Sequence, residues 1–165
     1  MLFRSPGHPD FLYNLGIALQ KHGDIDEAID DAFFARKINA AVSLRKDVLK
    51  LDAVTDAYRL VHSEGDGLSG LVVDRFADTL VIEFFSAGAF RQRDLIRNCL
   101  LEHYPGSAIY AYAEDHVQKQ ESFDCATPTR PKPTVIHEHG VKFHAAPGSK
   151  HKTGFFVDQR DNRLT

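Results

Sequence analysis

A mixed α+β fold, with helices first and a small, mostly antiparallel sheet after them, is what this 165-residue sequence predicts. Three observations carry that expectation. Residues 26–50 place apolar side chains at helical spacing, residues 58–85 hold three short alternating stretches, and residues 90–103 return to helical spacing. The last of these supplies one helix to pack on the sheet.

Taken in order, Phe11 to Gly23 reads as a helix with Leu12, Leu15 and Leu19 on one face and Gly23 as its stop. Continued through Ala28, Ala32, Ala35 and Ala40, the spacing resembles one tetratricopeptide repeat. A single copy cannot bury its own face, so a segment left over from an upstream domain is the rival reading. Asp26 to Lys50 is the clearest helix. Its acidic start and its basic end at Arg45, Lys46 and Lys50 suit the helix dipole. Phe34, Ile38, Ala41, Val42, Val48 and Leu49 form its apolar stripe and are expected in the core.

From Tyr58 the period changes to two. Tyr58–His62, Leu71–Phe76 and Thr79–Phe85 read as strands, joined by turns at Glu64–Gly67 and Ala77–Asp78. Connections so short favour antiparallel pairing, because parallel neighbours need a long crossover. Ser86-Ala87-Gly88 breaks the pattern. Phe90–His103 is then a helix with Leu95, Ile96, Cys99 and Leu100 inward, and Cys99 acts there as a small hydrophobe. Ile109–Ala113 is a fourth strand, and polar residues 114–121 with proline-bearing residues 122–133 read as surface loop. Val135–His139 and Val141–Ala145, around Gly140, form a last hairpin. After the break at Pro147-Gly148-Ser149, Asp158 and Asp161 signal the start of another helix.

Composition narrows the function classes. The chain is 43% hydrophobic and 26% charged with a net charge of −3, so any contact with a polyanion needs a local patch. Two cysteines make no disulfide framework, which suits a reduced cytoplasmic chain. Neither a membrane span nor a secretory signal is expected, since no apolar run approaches about 18 residues.

Three constellations compete with bland explanations. His137, His139 and His144 offer a metal cluster, His137 and His139 sharing a strand face, yet Glu138 points the other way and no fourth ligand is spaced to complete it. Solvent-facing strand histidines are the expected outcome. The glycine-rich Glu64–Gly70 stretch is too acidic to cradle phosphate, so a tight connection is expected. The stretch Lys150–Arg163 is richer. Lys150, His151, Lys152, Arg160 and Arg163 suit phosphate or carboxylate, and Phe155 and Phe156 suit stacking on a planar base. An ordinary domain junction explains the same residues equally well. No triad, Walker loop or Gly-x-Gly-x-x-Gly signature is present, so no catalytic residue is assigned.

Two long motifs carry a resemblance. Tyr58-Arg59-Leu60-Val61-His62-Ser63-Glu64-Gly65-Asp66-Gly67-Leu68-Ser69-Gly70-Leu71-Val72-Val73-Asp74-Arg75-Phe76 and Lys152-Thr153-Gly154-Phe155-Phe156-Val157-Asp158-Gln159-Arg160-Asp161-Asn162-Arg163 resemble the large-subunit ribosomal RNA cytosine-5 methyltransferase family. That family joins an N-terminal PUA domain, a central α/β domain and a C-terminal Rossmann-type domain that binds S-adenosylmethionine. The resemblance implies a fragment: a truncated upstream segment over 1–23, a linker helix over 24–52, a central α+β domain over 53–147, and the entry to the methyltransferase domain over 148–165. It further implies that Lys152, Thr153, Gly154, Phe155, Phe156, Asp158, Gln159 and Arg160 border the cofactor and substrate cleft, with ribosomal RNA as partner. The cofactor loop, the ribose-binding acid and the catalytic cysteine would all lie beyond Thr165, so the chain alone is expected to be inactive.

One departure stands out. Where the family shows an Arg-rich, Glu-Gly-Leu pattern, this chain has Glu114-Asp115-His116-Val117-Gln118-Lys119-Gln120-Glu121-Ser122-Phe123, which weakens an RNA contact there. The alternatives are a non-catalytic helical-repeat adaptor with an appended β domain, and an RNA-binding module without cofactor.

Overall fold

A computed structural model of the chain describes residues 31–126, 128–149 and 152–164. The Phe11–Gly23 segment, the helix start expected at Asp26, and Lys150 and His151 lie outside those residues. Helix α1 (Asp31–Ser43) buries Phe33, Phe34, Ile38, Ala41 and Val42. Ile38 is 0% exposed, and burying such a side chain contributes about 2–3 kcal/mol.

The helical path then widens into a π turn, Leu44–Val48, closed by the Leu49 amide donating to the Leu44 carbonyl at 2.9 Å. The wider turn rotates the apolar stripe off the core. Val48 and Leu49, expected inside, are 67% and 55% exposed, and Arg45 is buried in their place.

Strands β1 (Ala57–His62), β2 (Leu71–Phe76), β3 (Thr79–Phe84) and β4 (Ala108–Tyr112) form one sheet in that order. The first three pair antiparallel, as their short connections require, with a register shift in β1 between Arg59 and Val61. Strand β4 instead pairs parallel to β3. The crossover that this needs is supplied by α2 (Ala87–Arg91) and α3 (Arg93–His103), where the sequence predicts one helix. Ser86 caps α2, its hydroxyl accepting from the Ala89 amide at 3.2 Å.

The two sheet faces have different covers. One carries Tyr58, Leu60, Val73, Leu80 and Ile82 against α1 and α3, with Cys99 and Cys125 in the same core. The other carries Ala57, Phe76, Val81 and Tyr110 against a hairpin, β5 (Thr134–Glu138) and β6 (Val141–Ala145). His139 and Gly140 form the hairpin turn at φ 50° and 81°, the left-handed pair that a two-residue turn needs. His139 therefore leaves the strand face it was expected to share with His137. A further helix, α4 (Asp115–Glu121), occupies a stretch expected to be loop. Its sequence is polar because its one buried residue is Val117. Gln118 secures it, donating to the Ala113 carbonyl at 2.9 Å and accepting from the Cys125 amide at 2.7 Å.

The helix expected from Asp158 is absent. Short 3-10 turns run over Val157–Gln159 and Asp161–Leu164 instead. Phe155 and Val157 both pack on the hairpin-side cluster, and residues two apart point to opposite sides of an α-helix. Tertiary packing wins over the capping signal.

Candidate functional site

The segment Lys152–Arg163 is fastened near its two ends to buried carboxylates, Asp74 of the four-stranded sheet and Glu138 of the hairpin. Asp74, in the middle of β2, is 0% exposed. Arg59 of β1 donates to it through Nε at 2.9 Å and Nη2 at 3.0 Å, a bidentate fork. The same carboxylate accepts the Thr153 hydroxyl. Asp74 first among other causes holds the Arg59 guanidinium above its usual range. At the other end, Arg163 donates Nε and Nη2 to the two oxygens of buried Glu138, each at 2.7 Å, and Nη1 to the Phe156 carbonyl at 3.0 Å. Its guanidinium lies 4.6 Å from the Phe155 ring centre, and Phe155 in turn meets Phe143.

Backbone geometry between these anchors is unusual. Thr153 sits at φ 56°, ψ 1°, a left-handed conformation that costs a β-branched residue about 1–3 kcal/mol. Gly154 comes next at φ +132°, where an added Cβ would come within 2.4 Å of the Ala146 carbonyl oxygen. The Gly148 amide donates to the Thr153 carbonyl at 2.7 Å and closes this reversal.

Beyond the reversal, Phe155, Val157, Asp158 and Arg160 form one wall of a cleft of about 470 Å³. Leu44, Leu49 and Leu51 from the π turn and its exit, with Tyr58 and Arg59 of β1, form the other. The volume is that of a small-ligand site. Arg45, also in the lining, is spent on Asp66 at 2.5 and 2.8 Å, and Arg160 on Asp161 at 3.0 Å. With its cations paired internally, the cleft suits a flat, largely apolar group with hydrogen-bonding edges better than a polyanion. Its lining holds no thiol. Cys99 and Cys125 are buried in the helix-side core away from the cleft lining, and burial pushes the Cys125 thiol up.

The sequence-derived site residues divide clearly. Phe155, Asp158 and Arg160 meet at the cleft, while Thr153 is buried against β2. Gly154 serves the reversal. Phe156 is 51% exposed, and exposed Gln159 accepts from Asn162 at 2.7 Å. Lys152 opens the 3-10 turn that holds Thr153 and Gly154. Sequence reasoning missed Arg59, Asp74 and Glu138, although one signal was available: a carboxylate inside the Leu71–Phe76 strand, apolar but for Asp74 and Arg75, demands a partner. His137 pairs with Asp56 at 2.9 Å, and no group of three or more His, Cys, Asp or Glu converges among the described residues.

This architecture has counterparts among solved structures. A protein described as a methyltransferase and crystallised in complex with SAH matches with a TM-score of 0.65 at 22% identity, over 84% of this chain and 35% of that one. A protein from Streptococcus mutans described as a SAM-dependent methyltransferase matches at 0.64 and 21%, over 84% and 36%. At such identities the likeness is one of fold, and the class it defines is the α+β portion found within those longer chains.

Sequence relatives are more particular. The chain is 41% identical over 145 residues to ribosomal RNA large subunit methyltransferase I of Aliivibrio fischeri (strain MJ11), covering 85% of this chain and 36% of that protein. The same-named proteins of Enterobacter sp. (strain 638) and Erwinia tasmaniensis are 40% and 42% identical, over 86% and 84% of this chain and 37% and 36% of theirs. The chain thus spans just over a third of the length of the curated relatives it matches. No family model matches it.

Proposed function

We propose that this chain is the central part of an S-adenosylmethionine-dependent ribosomal RNA methyltransferase that modifies carbon 5 of cytosine. The division into residues 1–23, 24–52, 53–147 and 148–165 belongs to the same reading, as does work in the cytoplasm; no helix among the described residues is long and apolar enough to cross a membrane. One observation carries the proposal: the two motifs behind the resemblance meet physically, Asp74 of the first accepting a hydrogen bond from Thr153 of the second. The similarity to ribosomal RNA large subunit methyltransferase I supports it.

In this reading the segment Lys152–Arg160 borders the cofactor and the target base, and the remainder of the cofactor site comes from sequence that the resemblance puts after it. The chemistry would be attack of a cysteine thiolate on carbon 6 of the cytosine ring, transfer of the S-adenosylmethionine methyl to carbon 5 with S-adenosylhomocysteine released, then loss of the carbon 5 proton with expulsion of the thiolate. Cys99 and Cys125, buried on the helix side of the sheet, do not serve as that nucleophile. The chain by itself therefore performs no methyl transfer. The adaptor reading is weaker, because among the described residues α1 buries its apolar face against the sheet and α3.

Methyl-labelled S-adenosylmethionine and unmodified ribosomal RNA test this. The 165-residue chain should give no incorporation. The chain continued into the C-terminal sequence of the Aliivibrio fischeri relative should yield 5-methylcytosine. Turnover by the chain alone, or a methyl group on another atom, overturns the proposal.

A further inference from the structure

We propose that Asp74, held by Arg59, is a positioning residue: its bond to the Thr153 hydroxyl sets which side chains of residues 155–160 face the cleft and which face solvent. This rests on the methyltransferase reading only for its functional consequence. The latch itself stands on three observations independent of any cofactor.

The first is the placement of the charge. Asp74 pairs in register with Val81 of β3 and lies in a strand whose other five residues include Leu71, Val72, Val73 and Phe76. Pairing and burial alone would be met by an apolar side chain, since a buried ion pair commonly adds little stability over one. What the carboxylate adds is direction: it presents an acceptor to one partner from β1 and one from the C-terminal segment.

The second is the conformation it fixes. Thr153 occupies a left-handed backbone state that β-branched residues avoid, and its side-chain bond to β2, together with the Gly148 amide on its carbonyl, favours that state over the extended one. The third is the path of the chain beyond Thr153. A reversal at Thr153 and Gly154 starts a short, irregular course in which no α-helix sets the phase of the side chains. With Thr153 latched, Phe155 turns to Phe143, with ring centres 5.5 Å apart, while Phe156 turns outward. Asp158 and Arg160 then reach the cleft wall. Release of Thr153 frees that phase.

Nuclear magnetic resonance of the chain tests the latch with no cofactor present. Ring-to-ring Overhauser contacts between Phe143 and Phe155, and the exchange rate of the Gly148 amide, report the segment; β2–β3 cross-strand contacts report the sheet. Thr153→Val keeps the side chain's shape and removes its hydroxyl. It should abolish the ring contacts and speed Gly148 exchange by about tenfold or more, with the sheet contacts intact. Thr153→Ser, which keeps the hydroxyl, should match the parent chain. Asp74→Asn, which keeps an acceptor but weakens the Arg59 fork, should fall between. Ring contacts that survive in Thr153→Val overturn the inference. So does simultaneous loss of the β2–β3 contacts in Thr153→Val and Asp74→Asn, which would mark a general structural role. In the extended, active polypeptide Thr153→Val should raise KM for S-adenosylmethionine while leaving kcat within about twofold, the mark of lost ground-state and transition-state binding alike. Absence of 5-methylcytosine in the parent extended chain would overturn the functional reading and leave the latch standing.

Discussion

The carboxylate of Asp74 and the hydroxyl of Thr153, 79 positions apart in the chain, are hydrogen-bonded where Asp74 is 0% exposed. The same carboxylate carries the Arg59 fork, so its removal strands a guanidinium and a hydroxyl together. Asp74→Ala should cost about 3 kcal/mol, seen as a lower urea midpoint at unchanged m. An unchanged midpoint would mean that water replaces the carboxylate without penalty.

Arg163 reaches Glu138, a carboxylate 2% exposed, through two donors in a planar fork. A lysine offers a point charge and cannot reproduce that geometry. Arg163→Lys should lose about 1–2 kcal/mol because one Glu138 oxygen is left unpaired, and Arg163→Ala about 3 kcal/mol because both are and the buried charge loses its partner. Full rescue by lysine in thermal denaturation would show that charge alone suffices.

Gly148 lies at φ +75°, and a Cβ there would come within 2.4 Å of the Tyr110 ring. Tyr110 is buried in the hairpin-side cluster and has little room to retreat. Gly148→Ala should destabilise by about 2 kcal/mol, lowering Tm by roughly 6 °C in a chain of this size. Gly140→Ala, with open space around the same atom, suffers the backbone strain without the clash and should lose less.

Burial pushes the Glu83 carboxyl above its ordinary value near 4.5, Glu114 and Asp74 add to the rise, and the Tyr112 hydrogen bond opposes it. The folded chain then holds this proton to higher pH than the unfolded chain. Between the ordinary and the raised value the native state binds more protons, so this group's contribution falls as pH rises through that window and is level above it. Glu83→Gln should therefore be more stable than the parent at pH 7, with the advantage vanishing near pH 4. Equal stability of the two proteins across that range in urea titrations would contradict the assignment.

Period and spacing made most of the scaffold legible. β2 spans Leu71–Phe76 as expected, and the short connections around it dictated antiparallel pairing. The parallel β3–β4 pair was less visible, because the chain from Phe84 to Ala108 fixes a crossover length but not its direction. α4 escaped because a helix with one buried side chain carries no apolar stripe. Val48 and Leu49 face solvent against expectation because a π turn shifts phase in a way that no residue type announces.

The site divides along the same line. Local chemistry was enough to mark Lys152–Arg163 as more than a tail, since charges interrupted by Gly-Phe-Phe-Val are recorded in adjacent residues. The partners of that stretch were not. Asp74, Arg59 and Glu138 lie tens of positions away, and only the folded sheet brings them within hydrogen-bonding distance. The same packing replaced the helix expected at Asp158 with 3-10 turns, because Phe155 and Val157 are both drawn into one apolar cluster. Segment identity is a local property of the chain, whereas the direction each side chain faces is settled by long-range burial and by charges that need partners out of water.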